Sequence, residues 1–97
     1  MKLVVAASAL AELRGAAEFY SLKANAELGL AFVAEFERAA NLVLANPMLG
    51  AVFRGDCRRY VLRRFPYGII YQLAGNEVRV LAVAHQRRRP GYWMSGK

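Results

Sequence analysis

The residues able to act on an anion or move a proton crowd toward the end of the chain, where His85, Arg87, Arg88, Arg89, Tyr92 and Trp93 follow within one short stretch. The imidazole, the chain's only one, can serve as general acid or base near neutral pH, or simply hydrogen-bond the backbone at a strand end. Three consecutive guanidinium groups suit planar, bidentate recognition of phosphate or carboxylate. Tyr92 and Trp93 can stack on bases or fill a partner's pocket. Arg58, Arg59, Arg63 and Arg64 form a second basic segment upstream. Neighbouring strands would bring the two together, although adjacent strand residues face opposite ways and only one of Arg63 and Arg64 can join. The candidate partner-binding set is therefore Arg58, Arg59, Arg63, Arg87, Arg88, Arg89, Tyr92 and Trp93.

Other chemistries find less support. One Cys and one His cannot supply the ligands of a structural zinc. There is no Gly-rich phosphate loop, and no cofactor is expected. Cys57 and His85 could pair as nucleophile and base, but nothing suggests a third, orienting group.

The elements that must position these residues follow from periodicity. The apolar run from Val80 to Ala84 reads as a buried strand, Glu77 to Ala84, whose end presents His85 and the arginines on a rigid support. Before it, Tyr67 to Leu73 carries Tyr67, Ile69, Tyr71 and Leu73 on one face, and Ala74-Gly75-Asn76 turns the chain. Arg58 to Phe65 reads as a strand with one core face and one basic face, and Val52 to Arg54 as a brief edge. Short links make these an antiparallel meander.

The first half is helical after a short strand at residues 2–6. Ser8 is the expected cap of a first helix running to about Leu22, with Leu10, Leu13, Ala17 and Tyr20 on one face. Asn25 caps a second helix in which Leu28, Phe32, Phe36, Ala39 and Val43 form an apolar stripe. Pro47 and Gly50 end that helix by Asn46. The expected fold is α+β, an N-terminal strand and an antiparallel helix hairpin on one face of a mostly antiparallel sheet, leaving Arg59, Arg63 and the tail on the open face.

Ninety-seven residues, 57% of them hydrophobic, suit one core, so residues 1–97 are expected to form a single domain. The net charge of +7 is uneven, since residues 1–50 sum to −1 and residues 51–97 to +8. The basic half should face an anionic partner. A lone Cys57 suggests a reducing, cytoplasmic setting. Lys2 and the apolar residues after it resemble a short signal peptide, but Glu12 and Arg14 interrupt the run too early. No stretch reaches membrane-spanning length.

Four groups of residues carry a family resemblance: Phe19-Tyr20; Asn46-Pro47 with Gly50; Gly55-x-x-Arg58-Arg59-x-x-Leu62-x-Arg64-Phe65-Pro66-Tyr67; and Val83-Ala84-His85-x-Arg87-Arg88-x-Pro90-x-Tyr92-Trp93. Together they resemble the ParE/RelE toxin superfamily, in its ParE-like, plasmid-stabilisation branch. The resemblance implies the same helix hairpin on an antiparallel sheet, and a toxin from a two-gene toxin-antitoxin module. It also implies an acidic, ParD-like antitoxin that folds on binding, and DNA gyrase as the target. The RelE branch implies an alternative, a ribosome-dependent endoribonuclease acting on messenger RNA, in which His85 and Tyr92 would be the catalytic candidates. Arg59 and Tyr92 stand where that branch has a basic residue and a catalytic Tyr, but Gly68, Gln86 and Val61 stand where it has Arg, Arg and Lys. Two missing arginines would cost charge stabilisation of about a hundredfold or more each. A third reading is a basic binding module without toxicity.

Overall fold

The computed structural model describes residues 1–88 and Tyr92. Among them, seven elements follow in the order β1 (Lys2–Val5), α1 (Ala7–Lys23), α2 (Ala26–Ala45), β2 (Ala51–Arg54), β3 (Cys57–Val61), β4 (Tyr67–Ala74) and β5 (Glu77–His85). The sheet order is β1-β5-β4-β3-β2. β2 to β5 form the expected antiparallel meander, and β1 adds in parallel at the β5 edge. Both helices cover one face of this sheet, so the α+β architecture read from the sequence holds.

The helices start for different reasons. Asn25 caps α2, its side-chain oxygen accepting the Leu28 N–H at 2.8 Å, as its position before the apolar stripe predicts. Ser8 does not cap α1. A single residue, Ala6, separates β1 from the helix, and its N–H is held by the Val80 carbonyl at 2.9 Å; the cap therefore falls on Ala6, without a side-chain hydrogen bond. The core face of α1 is largely the expected one, since Leu13, Ala17 and Tyr20 pack on the core. Ala9, Leu13 and Ala16 are buried, while Leu10 is exposed, because α1 meets the sheet through its small residues. At Gly29 an added Cβ would lie 2.0 Å from the Ser21 Oγ and 2.7 Å from the Ala17 carbonyl, so the two helices approach more closely than any side chain there would allow.

The core between helices and sheet centres on Phe32, whose ring lies 5.6 Å from Tyr20, 5.1 Å from Phe65 and 5.0 Å from Tyr67. These edge-on and tilted ring contacts tie α2 to the start of β4. Tyr71 is fully buried, and both of its hydroxyl bonds are made: it donates to the Pro47 carbonyl at 2.7 Å and accepts the Gly50 N–H at 2.8 Å. The Asn46-Pro47…Gly50 motif is thus the loop that satisfies a buried phenol, which would otherwise cost about 1–3 kcal/mol.

Two irregularities re-aim the site. β3 stops at Val61, short of the expected Phe65, because Leu62 to Pro66 form a turn in which Arg64 adopts a left-handed φ of 74°. Leu62 and Phe65 still enter the core. In β5, Ile70 pairs with Ala82 and Tyr71 with Val80, so Leu81 is the extra residue of a bulge. Side-chain parity reverses there: Val78 and Val80 face the helices before it, Val83 after it.

The turn after β3 is fastened by α2. Glu35 binds Arg38 through both carboxylate oxygens, at 2.8 and 2.6 Å, and accepts the Arg63 N–H at 2.7 Å. The Arg38 hydrogen bonds, helped by the Arg63 N–H, hold the Glu35 carboxyl below its ordinary value. A lowered folded-state value gives stability that is present above the ordinary glutamate range and lost as pH falls through the folded value. Glu35→Gln is therefore expected to flatten the acid side of the stability curve, with its largest cost near neutrality; urea unfolding from pH 7 to pH 3 tests this. An unchanged acid slope would show that the carboxylate does not hold the turn.

Candidate target-binding surface

The open face of the sheet is more than a solvated basic plane. Cys57, Ile70 and Ala82 are buried there as a second, smaller cluster, with Phe53, Leu81 and Tyr92 packed against it. Above this floor lies a cleft bordered by Arg59, Val61, Gly68, His85, Gln86 and Arg88, among others. It encloses about 50 Å³, room for a few waters and well below the roughly 300 Å³ of the smallest usual ligand pockets.

Two guanidinium groups flank this cleft, each lying over an aromatic ring. The Arg59 guanidinium lies 4.5 Å from the Phe53 ring centre, and that of Arg88 lies 3.9 Å from the Tyr92 ring centre. Such contacts limit side-chain freedom while leaving N–H donors for an incoming anion. Gly68 makes the first arrangement possible, since a Cβ at Gly68 would sit 3.2 Å from Arg59 Cγ and 3.4 Å from Cδ. The aliphatic stem of Arg59 occupies the space a side chain at position 68 would need.

His85 closes the end of β5. Its parity, reset by the bulge, places its ring edge-on to Tyr67 at 5.1 Å. Its Nδ1 accepts the Arg87 N–H at 3.1 Å, so the neutral ring carries its proton on Nε2. The Gln86 N–H donates to the Pro66 carbonyl at 2.8 Å, anchoring the strand end to the β3–β4 turn. The Tyr92 hydroxyl donates to the Glu12 carboxylate. Burial first, then the Glu12 carboxylate, pushes the phenol well above its ordinary value, so it remains a neutral donor at physiological pH.

The structure brings Arg59, His85, Arg88 and Tyr92 together, with Arg87 exposed beside them. It separates two other residues from this group. Arg58 points to the helix side and donates to the Gly50 carbonyl at 2.7 Å, bracing the loop that serves Tyr71. Arg63 lies in the turn beside α2, because β3 ends before it and its N–H is taken by Glu35. Arg89 and Trp93 lie outside the described residues. Sequence reasoning missed Phe53, the platform for Arg59, and Glu12, whose partners are Val83 and Tyr92. An aromatic residue in an edge strand opposite a basic strand was the available signal for Phe53; nothing local signals Glu12.

Among the described residues no helix is long and apolar enough to cross a membrane. A solved structure described as the chromosomal ParDE TA system from P. aeruginosa matches this fold with a TM-score of 0.78 at 20% identity, covering 88% of this chain and 95% of that chain. At that identity the likeness is one of fold. No curated protein sequence matches significantly. The family model of the ParE toxin of type II toxin-antitoxin systems, parDE, matches residues 3–90, a span that takes in the helix hairpin, all of the sheet but Lys2, and the arginines after His85. This chain therefore belongs to the ParE toxin family.

Proposed function

We propose that this ParE-family toxin acts by binding and inhibiting DNA gyrase through the open face of its sheet, and that an acidic, ParD-like antitoxin neutralises it. The observation that carries the reading is the pair of aromatic-backed guanidinium groups, Arg59 on Phe53 and Arg88 on Tyr92, beside a cleft too small for a nucleotide. That is a surface for docking onto a macromolecule, with Arg anchors of the kind that dominate interface energies. Residues 51–97 carry a net +8, which favours association with acidic surfaces. The antitoxin proposal draws on the same charge and on Phe19, Leu22 and Leu30, which stand 52%, 78% and 69% exposed on the hairpin. A flexible acidic partner can neutralise the one and cover the other.

Proton chemistry is poorly served at the same place. Tyr92 holds its proton firmly against Glu12, and His85 has one ring nitrogen committed to the Arg87 N–H. Gly68 and Gln86 supply no charge for a cleaving phosphate, and Arg59 already fills the space over Gly68. His85→Gln separates the readings. Under gyrase inhibition it should leave the half-inhibiting concentration nearly unchanged in a supercoiling assay, whereas a ribonuclease using His85 would lose about a hundredfold or more in messenger RNA cleavage. Cleavage by the wild-type protein in a translation mix, lost in His85→Gln, would overturn the proposal.

A further inference from the structure

Glu12 does not line the cleft, yet it connects three elements. β1 ends at Val5 and its last contact with β5 is the Ala6 N–H on the Val80 carbonyl at 2.9 Å. Beyond that point, among the described residues, the outer edge of β5 has no neighbouring strand, and an unpaired N–H there would be costly where it is not solvated. Glu12, reaching over from α1, accepts the Val83 N–H at 2.9 Å with one carboxylate oxygen. Its other oxygen accepts the Tyr92 hydroxyl. The ring of Tyr92 in turn packs on the cluster of Cys57, Ile70 and Ala82 and supports the Arg88 guanidinium.

We infer that Glu12 is a positioning residue that anchors the chain after β5 through Tyr92, and so sets Arg88 beside the same cleft as Arg59. The inference rests on the open face being the target-binding surface. Arg88 lies beyond the last residue of β5; its N–H donates to the His85 carbonyl at 2.9 Å, but among the described residues no strand pairs with it, and its side chain rests on the Tyr92 ring. The placement of its guanidinium depends on Tyr92, and that of Tyr92 on a carboxylate presented by a rigid helix. The raised value of the phenol agrees, since a phenol that stays protonated keeps donating to Glu12 across the physiological range.

The test uses the full-length folded protein and two readouts. Limited trypsin cleavage after Arg87 and Arg88 reports how firmly the segment is held. Inhibition of gyrase supercoiling reports whether that hold matters. Tyr92→Phe removes only the hydroxyl bond, and Glu12→Ala removes both bonds. Each should speed cleavage at these two sites about tenfold, the worth of a charge-assisted hydrogen bond. The double variant should be cleaved no faster than Glu12→Ala. The half-inhibiting concentration should rise by a similar factor, and Glu12→Gln, whose amide oxygen can accept the Val83 N–H while its NH2 group donates to the Tyr92 oxygen without charge assistance, should recover part of it. Unchanged cleavage in Tyr92→Phe, or effects of the two changes that simply add, would overturn the anchoring. Faster cleavage with unaltered inhibition would overturn the positioning role. A wild-type protein inert on gyrase but showing the expected cleavage pattern would sink the gyrase reading and support the anchoring.

Discussion

Replacing Arg59 and Arg88 together by Ala should cost roughly a hundredfold or more in target inhibition, because truncating one Arg anchor commonly costs about 2 kcal/mol or more and the losses at two anchors of one cleft fall short of adding. Both side chains are exposed, and exposed changes usually shift stability by less than about 0.5 kcal/mol. Their guanidinium groups contact the faces of Phe53 and Tyr92, so some packing is lost with the charge. That loss is small beside the binding effect. Urea unfolding and circular dichroism of the double variant should therefore match the wild type, while the half-inhibiting concentration moves by two decades. A folded double variant that inhibits normally would remove the open face from the mechanism. Arg58→Ala is the internal contrast: its side chain braces the Gly50 loop from the helix side, so its effect should appear in stability and leave inhibition per folded molecule unchanged.

Phe32→Ala should show the reverse pattern and the largest stability loss in the molecule. Its ring is fully buried and touches Tyr20, Phe65 and Tyr67. Truncating a buried Phe costs about 3–5 kcal/mol, the lost transfer energy plus the cavity left behind. A domain of this size has only about 5–15 kcal/mol in total, so a large part of the stability goes with one side chain. Tyr67 also bears on His85, which lets the cavity loosen the end of β5. Denaturant midpoints measured with and without the antitoxin should both fall, the antitoxin recovering part of the loss by binding the folded state. A midpoint within 1 kcal/mol of wild type, a small fraction of the cost above, would mean that the aromatic centre does not hold the helices to the sheet.

Comparison of these residues with the sequence shows what a linear reading can reach. The stripe from Phe32 to Val43 and the Asn25 cap could be read because each depends on contacts three or four positions apart. The meander was legible for the same reason, its links being short and marked by Gly55-Asp56, Pro66 and Gly75-Asn76. Local rules failed where a distant partner decides. Ser8 is a good capping residue, but the Val80 carbonyl fixes Ala6 and moves the cap off it. Arg64 looks like a strand residue, yet Glu35 on α2 holds the neighbouring Arg63 N–H in a turn. The bulge at Leu81 reverses which side chains face the helices, and no pattern of apolar residues announces it. The same limits explain the site. Arg59, His85 and Arg88 were found by residue type; Arg58 was grouped with them by type against an alternation that sets it on the Tyr60 side, Arg63 by an alternation that stops where β3 ends at Val61, and Glu12 was invisible because its partners lie 71 and 80 positions away.

The measurement that bears most directly on the whole account is a supercoiling assay with purified gyrase, run beside a translation reaction with toeprinting, using the same wild-type preparation. The account predicts concentration-dependent loss of supercoiling, reversed by the antitoxin and weakened by added salt as surface charges are screened, with no new cleavage sites in the translated messenger RNA. Intact supercoiling at high toxin concentration, together with ribosome-dependent cleavage of the message, would contradict it.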